Sequence, residues 1–367
     1  MKRVAPKRAL IVSVGYGEGH HAAARALAQE FCARDWSVRV IDPCKMAHPF
    51  LFELTRRFYQ FCVRRAPWLW AITYEQTDTA DWSVKPFAPG LRGVTETLAA
   101  QVKEFCPDVV LCTYPLYAHM LDALRLEGRV KVPYAVVVTD ALEISRPWMV
   151  NKAPMIFLPD EYSLERVSER YALDFNRMAA VGFPVKREFR PDADRGVPDA
   201  GTLRIVYGAY APLGRVQQDL AALIARYPAA CITVIAGAHC ADLLHFASER
   251  VEVVPRTDRM HELFARAHFY IGKAGAATVF EAYASHLPVL VNYALPGQEQ
   301  GNLELLLQDG AGCRVRTTAD MLVTIEAALA HGAAGWCRMR GAMAQSGRGR
   351  GAKGIADVLE KRFLYEE

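Results

Sequence analysis

Ten short runs rich in Val, Ile, Leu and aromatic residues, 5–7 residues each and separated by stretches of helical periodicity, restrict the architecture of this chain more than any other feature. The first five are RALIVSV, SVRVID, DVVLCTY, YAVVVTD and MIFLP; the second five are LRIVYGA, CITVIAG, VEVVP, HFYIG and LPVLVNY. Short, mostly apolar runs fit strands covered on both faces. Their alternation with helices is the pattern of a parallel sheet flanked by helices. Between the fifth and sixth runs lies FPVKREFRPDADRGVPDAGT, whose Pro, Gly and charge are those of a connector. At 367 residues the chain exceeds one comfortable core. The expectation is two α/β domains, 1–185 and 203–345, a linker over 186–202 and a tail helix over 346–367. Arg348, Arg350 and Lys353 lie among glycines and read as a solvated loop before that helix.

Composition excludes several classes of function. The balance of 44 basic against 40 acidic residues is too even to argue for a nucleic-acid partner. Nine cysteines with no C-x-x-C pair read as reduced, mostly buried thiols, not as a metal or disulfide framework. The apolar run Ala9–Val14 soon meets Glu18, His20 and His21, so it reads as a first strand rather than a signal peptide. No uncharged apolar run approaches the roughly 20 residues that span a bilayer. Membrane contact is therefore expected to be peripheral, and the reduced thiols point to the cytoplasmic side.

The stretch Ile271–Asn302 reads as one nucleotide-holding unit. A strand runs into Ala274, Gly275, Ala276, Ala277 and Thr278, where a helix opens. Small residues let a ligand approach the backbone, and a helix N-terminus presents unpaired N–H groups and about half a positive charge, which suits a diphosphate. Glu281 lies one turn further on, placed to accept ribose hydroxyls. The loop PGQEQGN brings Gln298, Glu299 and Asn302 to the carboxyl end of the next strand, the ligand-binding edge of open α/β sheets. Together these residues imply a nucleoside diphosphate carrying a hydroxyl-rich group.

At the other end of the chain the first strand delivers Gly15, Gly17 and Gly19 before His20 and a helical HAAARALAQEF. A dinucleotide fingerprint needs G-x-G-x-x-G, and here the sixth position is His20. The whole segment GYGEGHHAAARAL instead resembles the amino-terminal G-x-G-H-x-x-A-A-x-A-L motif of glycosyltransferase family 28, in particular its diacylglycerol glycosyltransferases. The carboxy-terminal stretch is similar to the same family's donor signature through Lys273, Gly275, Thr278, Glu281, Pro288, Gln298, Glu299 and Asn302. Two departures are Ala274 for Pro and Ala276 for Gly; the second places a methyl group where positive φ and close approach are at issue. A third is Ile144, Ser145 and Arg146 where the family carries a histidine before Pro147 and Trp148. A fourth is the loop after LRIVYG, where only Gly208 and Gly214 remain around Tyr210 and Pro212.

The resemblance implies the GT-B architecture: two Rossmann-like domains with parallel sheets facing across a cleft. It also implies inverting transfer of a galactose or glucose from a UDP-sugar to diacylglycerol, with no metal and no cofactor. His20 would be the base, with His21 its adjacent rival. Donor contacts would come from Gly17, Gly19, Gly208, Arg256 and the carboxy-terminal residues already named. Asp140 would orient the base or touch the acceptor, unless it caps the following turn.

In MAHPFLFELTRRFYQFCVRRAPWLWAITYEQTD, Phe50, Leu51, Leu54, Phe58, Phe61 and Cys62 recur at helical spacing, with Glu53, Arg57, Gln60 and Arg64 opposite. Arg56, Arg57, Arg64 and Arg65, followed by Trp68 and Trp70, combine phosphate-seeking cations with interfacial aromatics. The pattern alone equally fits a core-packed helix with a basic outer face; the resemblance implies binding to an anionic membrane surface and acceptor entry, with Trp148 also on the acceptor side. An anionic lipid would then be a candidate activator. Three competing readings share parts of this evidence: an N-acetylglucosamine transferase acting on an undecaprenyl-linked lipid, a UDP-sugar 2-epimerase, and a non-catalytic nucleotide-binding relative.

Overall fold

The computed structural model describes residues 6–16, 18–65, 76, 89–149, 152–171, 173–295 and 299–365. They form two compact units: one holds the chain up to Arg187 and again Arg350–Glu367, and the other holds Glu188–Leu295 and Glu299–Gly349.

The first unit is built on β1 (Arg8–Val12), β2 (Ser37–Ile41), β3 (Val109–Cys112), β4 (Tyr134–Val137), β5 (Met155–Leu158) and β6 (Met178–Ala180), in the order β2-β1-β3-β4-β5-β6 with every pairing parallel. β3, β4 and β5 are buried at every position, which is why their sequences run apolar instead of alternating. Leu10 and Val12 of β1 face a core shared with Leu98 of helix Pro89–Phe105 and Leu121 of helix Pro115–Leu126. Ala9 and Ile11 face the opposite core, with Leu27 and Phe31 of helix Glu18–Cys32 and with Ile355 and Leu359 of helix Gly351–Tyr365. The carboxy-terminal helix is thus a wall of the first unit. Arg34 holds it there through Asp357 and Glu360, each at 2.7 Å, while also pairing with Glu30 at 2.9 Å. At Gly351 any Cβ would run into the carbonyl of Gly182, so the close approach of this helix requires glycine.

The second unit contains β7 (Arg204–Gly208), β8 (Cys231–Ile235), β9 (Val251–Val254), β10 (Phe269–Lys273), β11 (Val289–Tyr293) and β12 (Gly312–Arg314), again all parallel, in the order β12-β11-β10-β7-β8-β9. Read from β9, this is the Rossmann order 3-2-1-4-5-6. Twelve strands therefore stand among the described residues where the sequence pattern gives ten; β6 and β12 are three-residue edge strands, MAA and GCR, with no apolar run to reveal them.

Three other sequence expectations are corrected. Within 186–202, Arg195 is buried and donates to the carbonyls of Phe264, Ala265, Ser285 and His286 at 2.7–2.8 Å, so this part of the connector is packed into the second unit. Arg348 is not solvated: it is buried and grips Asp309 with two bonds of 2.7 and 2.9 Å. The cysteines are all free, but only Cys44, Cys62 and Cys112 are buried, and four are exposed. No helix among the described residues is long and apolar enough to cross a membrane.

In open α/β sheets, ligands bind outside the carboxyl ends of the strands where the strand order reverses. That point lies between β1 and β3 in the first unit and between β7 and β10 in the second. The strand ends at these two places are Gly15, Thr113 and Tyr114 in one unit, and Ala209, Tyr210, Ala274 and Gly275 in the other.

Candidate functional site

In the first unit the loop after β1 is fixed before it enters the helix. Gly15 donates its N–H to Asp42 Oδ2 at 3.0 Å, and Asp42 also caps helix Pro43–Ala47 through Lys45 N at 3.1 Å and accepts from Tyr117 at 3.2 Å. A Cβ at Gly15 would lie 3.0 Å from His21 Nε2 and 3.1 Å from Phe52, so both side chains pack close against this turn. At Gly19, in the first helical turn, a Cβ would meet nothing within 4 Å, so packing does not demand glycine there.

His20 stands in that turn, its Nδ1 at 2.8 Å from Thr139 Oγ1, its ring edge-on to Tyr114 at 5.2 Å and tilted against Trp148 at 6.1 Å. Loss of solvation lowers its pKa to about 4, with a hydrogen bond to the Thr113 backbone opposing and the neighbouring His21 reinforcing the shift. The imidazole is therefore neutral at pH 7. Asp140 does not supply the contact to His20 that the sequence suggested. It is buried, accepts Trp148 Nε1 at 2.8 Å, and its pKa rises to about 6 through desolvation, the indole N–H opposing. Trp148 is itself buried, so it belongs to the wall behind His20 and not to a membrane-facing surface. Sequence reasoning missed Thr139 as the histidine's partner; the available signal was the T-D pair ending the fourth run.

Helix Pro49–Arg65 has two apolar stripes. Phe52 and Cys62 point inward, whereas Phe50, Leu51, Leu54, Phe58 and Phe61 are exposed, Phe50 by 83%. Cys62 is thus on the face opposite to the one expected for it. The exposed stripe is a large apolar patch of the kind that marks an interaction surface. Beside it Arg56 and Arg57 share the single carboxylate of Glu53 at 2.8 and 2.9 Å, leaving a net positive charge. The inner face reaches the glycine loop: Tyr16 stacks on Phe52 at 5.2 Å and its hydroxyl lies 3.1 Å from Thr55. Arg64 and Arg65 fall in the last turn of this helix, but their side chains, like Gly17, Trp68, Trp70 and Gln298, lie outside the described residues.

In the second unit β10 ends at Lys273, and Gly275 caps helix Ala276–Ala284 with no side chain closing the end. Val279 N–H makes the first helical bond, to Gly275 O at 2.9 Å, so the N–H groups of Ala276, Ala277 and Thr278 have no intrahelical acceptor. Ala276 is an ordinary helical residue and is not among those with positive φ, so its methyl group introduces no backbone strain. Lys273 Nζ forms an ion pair with the buried Glu299, whose other oxygen accepts Leu295 N–H at 3.0 Å. Asn302 is buried and donates to Ala274 O at 3.0 Å, tying helix Gln300–Gln308 to the loop. Glu281 is half-buried in the second turn of its helix. At Gly208 the space of the missing Cβ is taken by Tyr270 Oη, 2.6 Å away, and by the Tyr210 ring at 3.1 Å. Arg256 follows β9, two strands from β7, and is exposed; strand spacing puts it roughly 10 Å along the same edge.

Two Rossmann-type sheets, one opening at its switch point on a glycine loop with a neutral histidine and the other on an uncapped helix, are the halves of a GT-B glycosyltransferase fold. Along 97% of this chain and 98% of the other, the backbone superposes on the kitacinnamycin glycotransferase with a TM-score of 0.65 at 17% identity. Residues 20–185 match the monogalactosyldiacylglycerol (MGDG) synthase family and residues 236–350 match the glycosyltransferase family 28 C-terminal domain. The chain belongs to this family of glycosyltransferases. It is 25% identical to the chloroplastic monogalactosyldiacylglycerol synthase of Spinacia oleracea over 344 residues, covering 87% of this chain and 66% of that one. It is 24% identical to a processive diacylglycerol beta-glucosyltransferase of Bacillus licheniformis, covering 88% and 87% respectively. The chain thus spans 62–66% of the length of four plant relatives that it matches and 71–72% of three others.

Proposed function

We propose that this protein transfers a galactose or glucose from a UDP-sugar to the hydroxyl of a diacylglycerol-type lipid, with inversion, at the cytoplasmic surface of a membrane. The observation that carries the reading is His20, a neutral, desolvated imidazole at the switch point of its sheet, within the segment that matches the MGDG synthase family. Neutral imidazole takes the acceptor proton as the hydroxyl attacks the anomeric carbon. The N–H groups of Ala276, Ala277 and Thr278 favour the charge that develops on the departing diphosphate, the kind of preorganised stabilisation that dominates many such reactions. Glu281 binds the ribose, and Glu299 and Asn302 support the loop beside the phosphates.

Incubating the full chain with several UDP-hexoses and diacylglycerol in anionic vesicles, followed by lipid mass analysis and anomeric assignment, tests this directly. UDP release that needs no lipid would favour an epimerase or hydrolase instead. The protonation state of His20 adds a pH test. A base whose folded pKa is lowered to about 4 stays competent until pH falls through that value. The acid limb of kcat/KM is therefore expected near pH 4; a limb at the ordinary histidine value of 6.5 would mean that the working base is not a desolvated imidazole.

The exposed stripe of helix Pro49–Arg65 supports the membrane part of the reading. Cosedimentation with vesicles containing phosphatidylglycerol is expected to weaken with salt and with Arg56/Arg57/Arg64/Arg65→Ala, and to be lost when Phe50, Leu54 and Phe58 are changed to Ser. Equal binding of all three proteins would remove this helix from membrane attachment.

A further inference from the structure

We propose that Lys273, positioned by Glu299 and Tyr210, is a phosphate ligand of the second unit and brings a positive charge to the diphosphate. This rests on reading that unit as the donor site. Lys273 is the last residue of β10, and its ammonium folds back over the start of helix Ala276–Ala284: a Cβ built on Gly275 would lie 2.6 Å from Nζ. A cation beside the positive end of a helix is unfavourable in itself. Here the buried carboxylate of Glu299 offsets it. The Tyr210 ring, carried by the loop after β7, lies 5.4 Å from Nζ.

Two parts of this arrangement differ in freedom. Glu299 is anchored by its second oxygen to Leu295 N–H at 3.0 Å, whereas Lys273 ends a flexible four-carbon stem. An ammonium has three donors, so a phosphate oxygen is taken on beside Glu299 without breaking that pair. The ligand's charge then relieves the conflict between the ammonium and the helix end, because both attract the same anion. Glycine at 275 is what leaves room for the lysine. Lys273 thus acts on the phosphates, while Glu299 and Tyr210 are positioning residues.

Titration calorimetry on the full chain with UDP and with uridine separates the possibilities. Lys273→Met is expected to weaken UDP about 10- to 100-fold, the loss of one charge-assisted contact, and to leave uridine unchanged. Lys273→Arg should recover part of the loss, and Lys273→Met should reduce the salt dependence of UDP binding. The double variant Lys273→Met/Glu299→Gln removes the orphaned carboxylate and should keep the phosphate-specific defect in a well-folded protein. Unchanged UDP affinity in Lys273→Met, or equal weakening of UDP and uridine, would overturn the proposal. Absence of UDP binding by the wild-type chain would instead sink the donor-site reading on which it stands.

Discussion

Substituting His20 by alanine is expected to lower lipid-dependent hexose transfer by about 10²- to 10⁴-fold, the usual contribution of a positioned general base, while UDP binding is retained. The change is mild for the fold. Alanine is the best helix former, and the position lies in the first turn of its helix. The hydroxyl of Thr139, which loses its 2.8 Å partner, stays beside the cavity left by the imidazole and can be met by water. The companion variant His21→Ala discriminates between the two adjacent imidazoles, since His21 presses on the Gly15 turn and is not the one held by Thr139. Steady-state rates with diacylglycerol vesicles, alongside UDP calorimetry, give both readouts. Near-normal turnover in His20→Ala would end the role assigned to this histidine.

The second large effect is on stability. Asp219, fully buried on helix Leu213–Arg226, accepts from Tyr207 at 2.8 Å, Arg215 Nε at 2.6 Å and Thr318 at 2.6 Å, with Asn292 at 3.3 Å. One carboxylate thereby joins β7, β11 and two helices around the loop that carries Tyr210. Removing one partner from a buried ion pair costs about 3–5 kcal/mol, because the remaining charge and donors are left in a dry interior. Asp219→Ala is expected to lose that much, and the unfolding of the second unit should separate from that of the first in a urea titration. A loss below about 1 kcal/mol, the range of exposed pairs, would show that water reaches the cluster. Donor affinity should fall with stability, since Tyr207 immediately precedes Gly208 at the switch point.

Much of this arrangement was readable in the chain. Fully buried parallel strands announce themselves as apolar runs, so ten of the twelve strands were marked, and the two glycine-bearing loops were placed at strand ends by the same runs. What escaped shares a physical cause: it depends on partners distant in sequence. Thr139 meets His20 across 119 positions and Lys273 meets Glu299 across 26, and neither pairing has a local pattern. The packing of Arg195 escaped for the same reason, since a segment of Pro, Gly and charge reads as a tether until its arginine is seen capping four carbonyls. Helix Pro49–Arg65 shows the opposite failure. Its periodicity was legible, but a helix with two apolar stripes gives no sign of which one faces inward; the structure turns Phe52 inward and leaves Phe50 outside.

The helix Gly351–Tyr365 closes a core whose other walls were laid down more than 150 residues earlier. During synthesis on the ribosome, Ala9, Ile11 and Phe31 therefore wait for Ile355 and Leu359 throughout translation of the second unit. One face of the first unit's sheet lacks part of its cover for that whole interval, and any nascent chain cut or stalled before Gly351 presents apolar surface suited to chaperone capture or aggregation.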